Sequence, residues 1–204
     1  MRVFASTSDL DAFFVSLTFV LQDEILSETF MTKSLDLGCG RNPKNLLNAD
    51  TVYGVDLQQR DDITMHDQNP NIKRADLAID PIPYDNDFFE FVTAHDFLEH
   101  IPRLLYVPHR RNPFVEIMNE VYRVLKMDGI FLSFTPAYPH SMVFQDPTHV
   151  NIITDQTFIY YFDDVHRWAT AYGFKGAFKI IRQEWYEPHL LTLMQKTEVI
   201  HTTS

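Results

Sequence analysis

The run LDLGCG at residues 35–40 constrains the fold more than any other part of the chain. An apolar segment stops there at two glycines, Gly38 and Gly40. Sixteen residues after Gly40 a second such segment, VYGVDL, reaches Asp56. Short apolar runs that end in a glycine or an acid have the pattern of buried parallel strands. In an open parallel sheet, ligands collect outside the carboxyl ends of the strands. A turn without Cβ atoms lets backbone approach a ligand and takes positive φ at little cost. A carboxylate at the end of the next strand can accept hydrogen bonds from two ribose hydroxyls. The pair points to a nucleoside-containing ligand; a glycine turn that closes a buried strand with no ligand is the plain alternative.

The pattern recurs along the chain. IKRADL, FFEFVTAHD and GIFLSFTPAY read as a third, fourth and fifth strand, and GAFKIIRQEWYE with LLTLMQKTEV as a closing hairpin joined at Pro188 and His189. A helix is expected from Asn112 to Asp128, with Asn112 as N-cap, Pro113 at the first helical position and Gly129 as the stop. Phe114, Met118, Val121, Tyr122 and Leu125 would share its inner face, and Glu116, Asn119, Glu120 and Arg123 its outer one. A second helix is expected from Asp155 to Tyr172, capped by Thr154, with Phe158, Phe162, Val165 and Trp168 inward and Gly173 at its end. Ser8 could cap a helix near the start, on which Leu10, Phe13, Phe14, Leu17 and Leu21 share a face. Strands interleaved with helices imply an α/β fold, and no repeat or Gly/Ser linker suggests a boundary, so one domain over 1–204 is expected. Within it, 1–32 would be a helical segment and 137–157 an insertion on the substrate side.

Charge narrows the partners. Seventeen Lys and Arg against 28 Asp and Glu give a formal net charge of −11 with no basic stretch to offset it, which disfavours nucleic acid. A single cysteine cannot form an intrachain disulfide, so a reducing cytoplasmic location is the simpler expectation. The apolar run from Ala12 to Leu21 lies between Asp11 and Asp23, lacks a small-residue cleavage site and is too short for a bilayer, so neither a targeting segment nor a membrane span is expected.

Dinucleotide sites want a third glycine, in G-x-G-x-x-G, where this chain has Pro43. The later motifs are more specific. LDLGCG, VYGVDL, ADL at 75–77, YDNDFFEFVTAHDFLEHI and EIMNEVYRVLKMDGIFLSFTP, in that order from Ser34 to Tyr138, resemble the class I S-adenosylmethionine-dependent methyltransferases of the small-molecule type. Glu90 replaces the family's usual Asp, and Met127 and Asp128 stand where Pro and Gly are usual. The resemblance implies a Rossmann-like seven-stranded sheet, mostly parallel with a C-terminal antiparallel hairpin and helices on both faces, and S-adenosylmethionine as cofactor. It assigns Asp36, Gly38 and Gly40 to the methionine portion, Asp56 to the ribose, and Asp76 to the adenine amino group with Leu77 stacking beside the ring. Cys39 and Leu57 join the cofactor-contacting set, Cys39 as a small spacer because no activating base is in view. His95 and Asp96 fall beside the sulfonium and the substrate. Only Arg41 to Thr51 separate the glycine turn from the next strand, too few residues for the family's three-turn helix, so Arg41 or Lys44 would have to compensate by charge.

Substrate selection is expected beyond the fifth strand, where Tyr138, His140, Phe144, Asp146 and His149 concentrate. DPTH followed by T-x-x-x-F resembles a stretch in some small methyltransferases found with surface-sugar or secondary-metabolite genes. The candidate substrate is therefore a small metabolite, such as a sugar or polar biosynthetic intermediate. Asp96 and His149 are the candidate catalytic groups, His149 as a base or substrate ligand oriented by Asp146. The competing reading makes Asp146 and Pro147 a turn and bonds His149 to backbone. No metal is expected, because the nine histidines show no H-x-x-x-H or Cys-paired spacing. The chain is expected to act as a monomer or homodimer on a small molecule, without membrane or nucleic acid. A methyltransferase-like protein that binds cofactor without transfer, a partner subunit, and a nicotinamide-dependent oxidoreductase are the competing functions.

Overall fold

A computed structural model describes residues 31–57 and 70–199. The helix expected after Ser8 lies outside the described residues, as does the segment that follows Leu57. The strands are β1 (Lys33–Leu37), β2 (Thr51–Asp56), β3 (Ile72–Arg74), β4 (Phe89–His95), β5 (Leu125–Tyr138), β6 (Ile153–Thr154), β7 (Phe178–Tyr186) and β8 (His189–Lys196). They form one sheet in the order β3-β2-β1-β4-β5-β8-β7, with the short β6 paired to β5 off this path. β1 to β5 pair in parallel, whereas β8 runs antiparallel to both β5 and β7. The winding runs outward from β1 toward β3 on one side and from β4 toward β5 on the other. The switch point therefore falls between the carboxyl ends of β1 and β4.

Each strand expected from its apolar run is present; β6, only two residues long, gave no pattern to read. Alternation along the strands splits the core. Leu35 and Leu37 of β1, Phe89, Val92 and Ala94 of β4, and Phe131 of β5 pack with the two α-helices among the described residues, α1 (Pro113–Val124) and α2 (Asp155–Tyr161). Phe91, Ile130, Leu132, Phe134, Leu191 and Leu193 form a second cluster, with Leu47 and Ala49 from the loop after β1. Helices were expected on both faces. Among the described residues this second cluster is covered by loop, because residues 41–50 make turns rather than a helix.

The first helix ends at Val124, short of the expected Asp128. Leu125 is already extended (φ −70°, ψ 139°) and enters β5 directly, while Asp128 takes the left-handed φ of 63° that short polar side chains tolerate. Asn112 precedes Pro113 as expected, but its side chain makes no capping bond. The outer-face residues are not idle. Arg123 donates to the carbonyls of Tyr84 and Ile82, and Glu120 accepts from the Ile82 N–H, so α1 tethers the loop that leads into β4.

The second expected helix breaks. Thr154 caps α2 in a reciprocal box with Thr157, and Phe158 and Phe162 are buried, as read from sequence. The helix then stops at Tyr161. The buried Asp163 accepts from the N–H groups of His166 (2.8 Å) and Arg167 (3.2 Å), capturing donors that a continuing helix would spend on its own carbonyls. Val165 and Trp168, expected inward, are exposed, and residues 168–172 form a separate 3-10 turn ended by Gly173.

Candidate functional site

At the carboxyl end of β1 the glycine turn leans back onto β2. Gly38 N–H and Cys39 N–H both donate to the Val55 carbonyl, at 2.9 and 3.3 Å, and Gly40 N–H donates to the Asp56 carboxylate at 2.8 Å. Gly38 and Gly40 have φ of 67° and 58°. A Cβ on Gly38 would stand 2.5 Å from Cδ2 of Phe97, whereas one on Gly40 would meet nothing within 4 Å. Backbone is thus laid open at Gly40, beside the strand-end acid. The motif's missing third glycine has a counterpart on β2. Gly54 lacks a Cβ where Cys39 Sγ (2.5 Å) and Pro43 Cγ (2.8 Å) press on it, so Pro43 packs over a bare strand position.

Asp36 lies beneath this turn, 2% exposed, accepting from the Lys44 N–H (2.8 Å) and the Thr93 hydroxyl (3.0 Å). Burial pushes its carboxyl above the usual range, and the two hydrogen bonds only partly oppose that. Its place is to lock the turn to β4 from below. Cys39 is buried and its thiol is pushed up to about 12 by burial and then by the Asp36 and Asp56 charges, which suits a spacer and not a nucleophile.

One strand over, His95 ends β4 and Asp96 follows with a left-handed φ of 51°. Asp96 joins two imidazoles, His95 Nδ1 at 3.0 Å and His189 Nε2 at 2.7 Å. Burial works against its charge, but the hydrogen bonds from His189 and His95 outweigh it and hold the carboxyl well below the usual carboxylate range. Phe134 stacks on His189 with ring centres 4.4 Å apart and planes 5° apart. His95 Nδ1 also lies 2.8 Å from Lys44 Nζ, so a proton on that nitrogen favours Asp96 and a lone pair favours the ammonium. His189 was missed in the sequence. It lies 93 residues from Asp96 at the start of β8, where only a hairpin joint was legible.

The remaining expected residues divide. Asp76 follows β3 and its carboxylate accepts from the Ala78 N–H (3.1 Å), closing a turn over 76–80. Leu77, expected beside an adenine ring, is instead packed in the main core with 7% exposure, while Leu57 and Ile79 are exposed. Arg41 and Lys44 are exposed beside the turn.

Beyond β5, Tyr138 and Phe144 are exposed, and His140 accepts from the Met142 N–H to cap a 3-10 turn over Ser141–Phe144. The His140, Asp146 and His149 grouping does not form. Asp146 accepts from both the N–H (2.7 Å) and the hydroxyl (2.6 Å) of Thr148, which is the turn of the competing reading. His149 Nδ1 lies 3.2 Å from the Val143 carbonyl, and its ring meets His100 edge-on at 4.9 Å. Asp146 therefore does not orient His149. A cleft of about 600 Å³ lies elsewhere, between α1 and α2 with Tyr160, Tyr161 and Trp168 in its wall. None of the candidate cofactor, catalytic or substrate residues lines it.

The site at the switch point fits an adenosine cofactor. It offers backbone laid bare at Gly40, a strand-end carboxylate tied to that backbone, and polar groups one strand away. The family described as "Methyltransferase domain" matches residues 35–133, which span β1 to β5. No curated protein matches the sequence. A SAM-dependent methyltransferase from Archaeoglobus fulgidus superposes with a TM-score of 0.54 at 15% identity, covering 90% of this chain and 94% of that one. A chain from the complex of the Haloferax volcanii Trm112 methyltransferase activator superposes with a TM-score of 0.55 at 13% identity, over 93% and 98% of the two chains. The [4+2]-cyclase SpnF does so with a TM-score of 0.56 at 14% identity, over 89% and 80%. At such identities these likenesses carry the fold alone. With the domain match lying on this sheet and its glycine turn, residues 35–133 carry a methyltransferase domain on the fold of the S-adenosylmethionine-dependent methyltransferases, and its cofactor is S-adenosylmethionine.

Proposed function

We propose that the chain transfers a methyl group from S-adenosylmethionine to a small metabolite, such as a sugar or polar biosynthetic intermediate. The observation that carries this reading is the hydrogen bond from Gly40 N–H to the Asp56 carboxylate, with the His95–Asp96–His189 cluster one strand away. The sulfonium, when bound, supplies an activated methyl group, so the protein has chiefly to align and to exclude water. In this reading the Gly38–Gly40 backbone cradles the methionine portion, Asp56 holds the ribose, and Asp76 reaches the adenine edge.

Asp96 is the acceptor's polar anchor. Its position is fixed by two imidazoles and a left-handed backbone, and its carboxylate stays charged across the working pH range. His189, stacked on Phe134, is placed to take a proton when the acceptor carries one. His149, whose Nδ1 faces the Val143 carbonyl, is the second candidate for that role.

Calorimetry with S-adenosylhomocysteine should show binding that Asp56→Ala weakens strongly. Labelled methyl should then reach a member of a metabolite panel, and slow with Asp96→Ala at unchanged cofactor affinity. Unaltered binding by Asp56→Ala would defeat the assignment. Because the same sheet serves a [4+2]-cyclase, cofactor binding without transfer on any acceptor would favour the non-transferring alternative.

A further inference from the structure

We propose that Glu99, His100 and His149 form a binding site for a divalent transition-metal ion. One ligand atom from each lies within 4.8 Å of the others. Glu99 and His100 belong to the 3-10 turn Leu98–His100 that follows β4, and His149 comes from the loop after β5. The two segments are stitched together. Val150 N–H and Asn151 N–H both donate to the Glu99 carbonyl, at 2.9 and 3.0 Å, and the Asn151 side chain donates to the Leu98 carbonyl at 2.9 Å. The grouping is therefore held by backbone and not by a chance approach of side chains.

A second observation points to a cation. Glu99 is 1% exposed; its Oε2 accepts from the Thr135 hydroxyl at 2.7 Å, but Oε1 has no hydrogen-bond partner among the described residues. A buried carboxylate oxygen with no donor calls for an ion, a water or a proton to complete it.

The imidazoles are set for an ion. The Thr148 hydroxyl gives its single proton to Asp146, so toward His100, 3.0 Å away, it acts as acceptor and takes the Nδ1 proton. His149 Nδ1 faces the Val143 carbonyl, which can only accept. Both rings therefore carry their proton on Nδ1 and present the Nε2 lone pair. A ligating histidine that donates its other N–H to a carbonyl or hydroxyl is the usual support around a metal. Asp146 and Thr148 orient His100 in this arrangement, a different partner from the one the sequence suggested.

Two imidazoles and one carboxylate suit Zn²⁺, Fe²⁺, Co²⁺ or Mn²⁺ better than Mg²⁺ or Ca²⁺, which prefer all-oxygen sets. Ligand distances of about 2.0–2.2 Å would draw the three side chains together by rotation. Three protein ligands leave coordination positions open, as at sites that bind water or a substrate. If the methyltransferase reading holds, a hydroxyl of the acceptor coordinated there would lose its proton more easily. That role rests on the proposed function; ion binding does not.

The test uses the full chain stripped with a chelator and titrated with Co²⁺, without cofactor or acceptor. Visible d–d absorption should saturate at one equivalent and be displaced by Zn²⁺. Zn²⁺ should raise the melting temperature of the wild type and not that of His149→Ala. Thr148→Val should weaken the ion by about tenfold to a hundredfold, the usual effect of losing an outer partner. Glu99→Gln should abolish uptake; if that variant fails to fold, His149→Ala, at a partly exposed position, decides alone. Absence of saturable Co²⁺ absorption, equal affinity in wild type and His149→Ala, or uptake of Mg²⁺ alone would overturn the assignment. S-adenosylhomocysteine binding, measured separately, would be left standing by any of these failures.

Discussion

Alanine at Gly38 and at Gly40 asks the same backbone question with different surroundings. Both residues hold left-handed φ, 67° and 58°. An L side chain in that region costs about 1–2 kcal/mol. At Gly40 that is the whole penalty, because the new Cβ meets nothing within 4 Å. At Gly38 the Cβ stands 2.5 Å from Cδ2, 3.0 Å from Cγ and 3.2 Å from Cβ of Phe97, a ring packed against the main core. Overpacking of that kind adds about 1–3 kcal/mol. Gly38→Ala should therefore destabilise by about 2–5 kcal/mol and Gly40→Ala by about 1–2 kcal/mol. Urea unfolding with a common slope reads both as shifts of the midpoint. In a Phe97→Ala background the Gly38→Ala penalty should fall to that of Gly40→Ala. If the two single variants cost the same, or if removing Phe97 brings no relief, the steric part of the argument is wrong. Binding should show the reverse order, with Gly40→Ala losing more cofactor affinity than its small stability cost would suggest.

Asp96 and Asp36 should give opposite pH trends. The folded state depresses Asp96, so the wild type's advantage over Asp96→Asn is complete above the ordinary carboxylate value of 3.8 and shrinks as pH falls below it. Asp36 is raised, so the wild type compares best with Asp36→Asn below 3.8 and loses ground as pH rises through the folded value; parallel curves for the two pairs would refute both assignments. Cys39, the only cysteine, should resist a thiol reagent at pH 8 in the native protein and react fully once urea unfolds it, and a native reaction at the free-thiol rate would contradict its burial.

Strand content and order of motifs were legible because buried parallel strands write themselves as short apolar runs ended by Gly38, Asp56, Asp76 or Asp96. The glycine turn and its acid were legible for the same reason, being local features separated by one strand. What failed depended on contacts that apolar spacing does not record, some local and some between distant residues. Apolar spacing from Asp155 to Tyr172 is helical throughout, yet the Asp163 carboxylate takes backbone donors at His166 and Arg167 and breaks the run. The end of α1 is set by Leu125 entering β5, not by the stop residue Gly129. His189 and the Glu99–His100–His149 grouping could not be found by spacing, since β8 and the loop after β5 bring them in from 93 and 49 residues away. Leu77 shows the limit of motif transfer, since a matched position can turn its side chain into the core.

Gly54 lies hidden in the middle of a strand, yet it works as the fulcrum of the turn above it. Even one methyl group at that position would lift Cys39 and Pro43, at 2.5 and 2.8 Å, and tilt the peptide of Gly40 away from Asp56. The shape of the glycine turn, the proposed cofactor cradle, is thus set from below, by an atom that is missing, and a search for affinity-altering variants that inspects only exposed positions of the turn would pass it by.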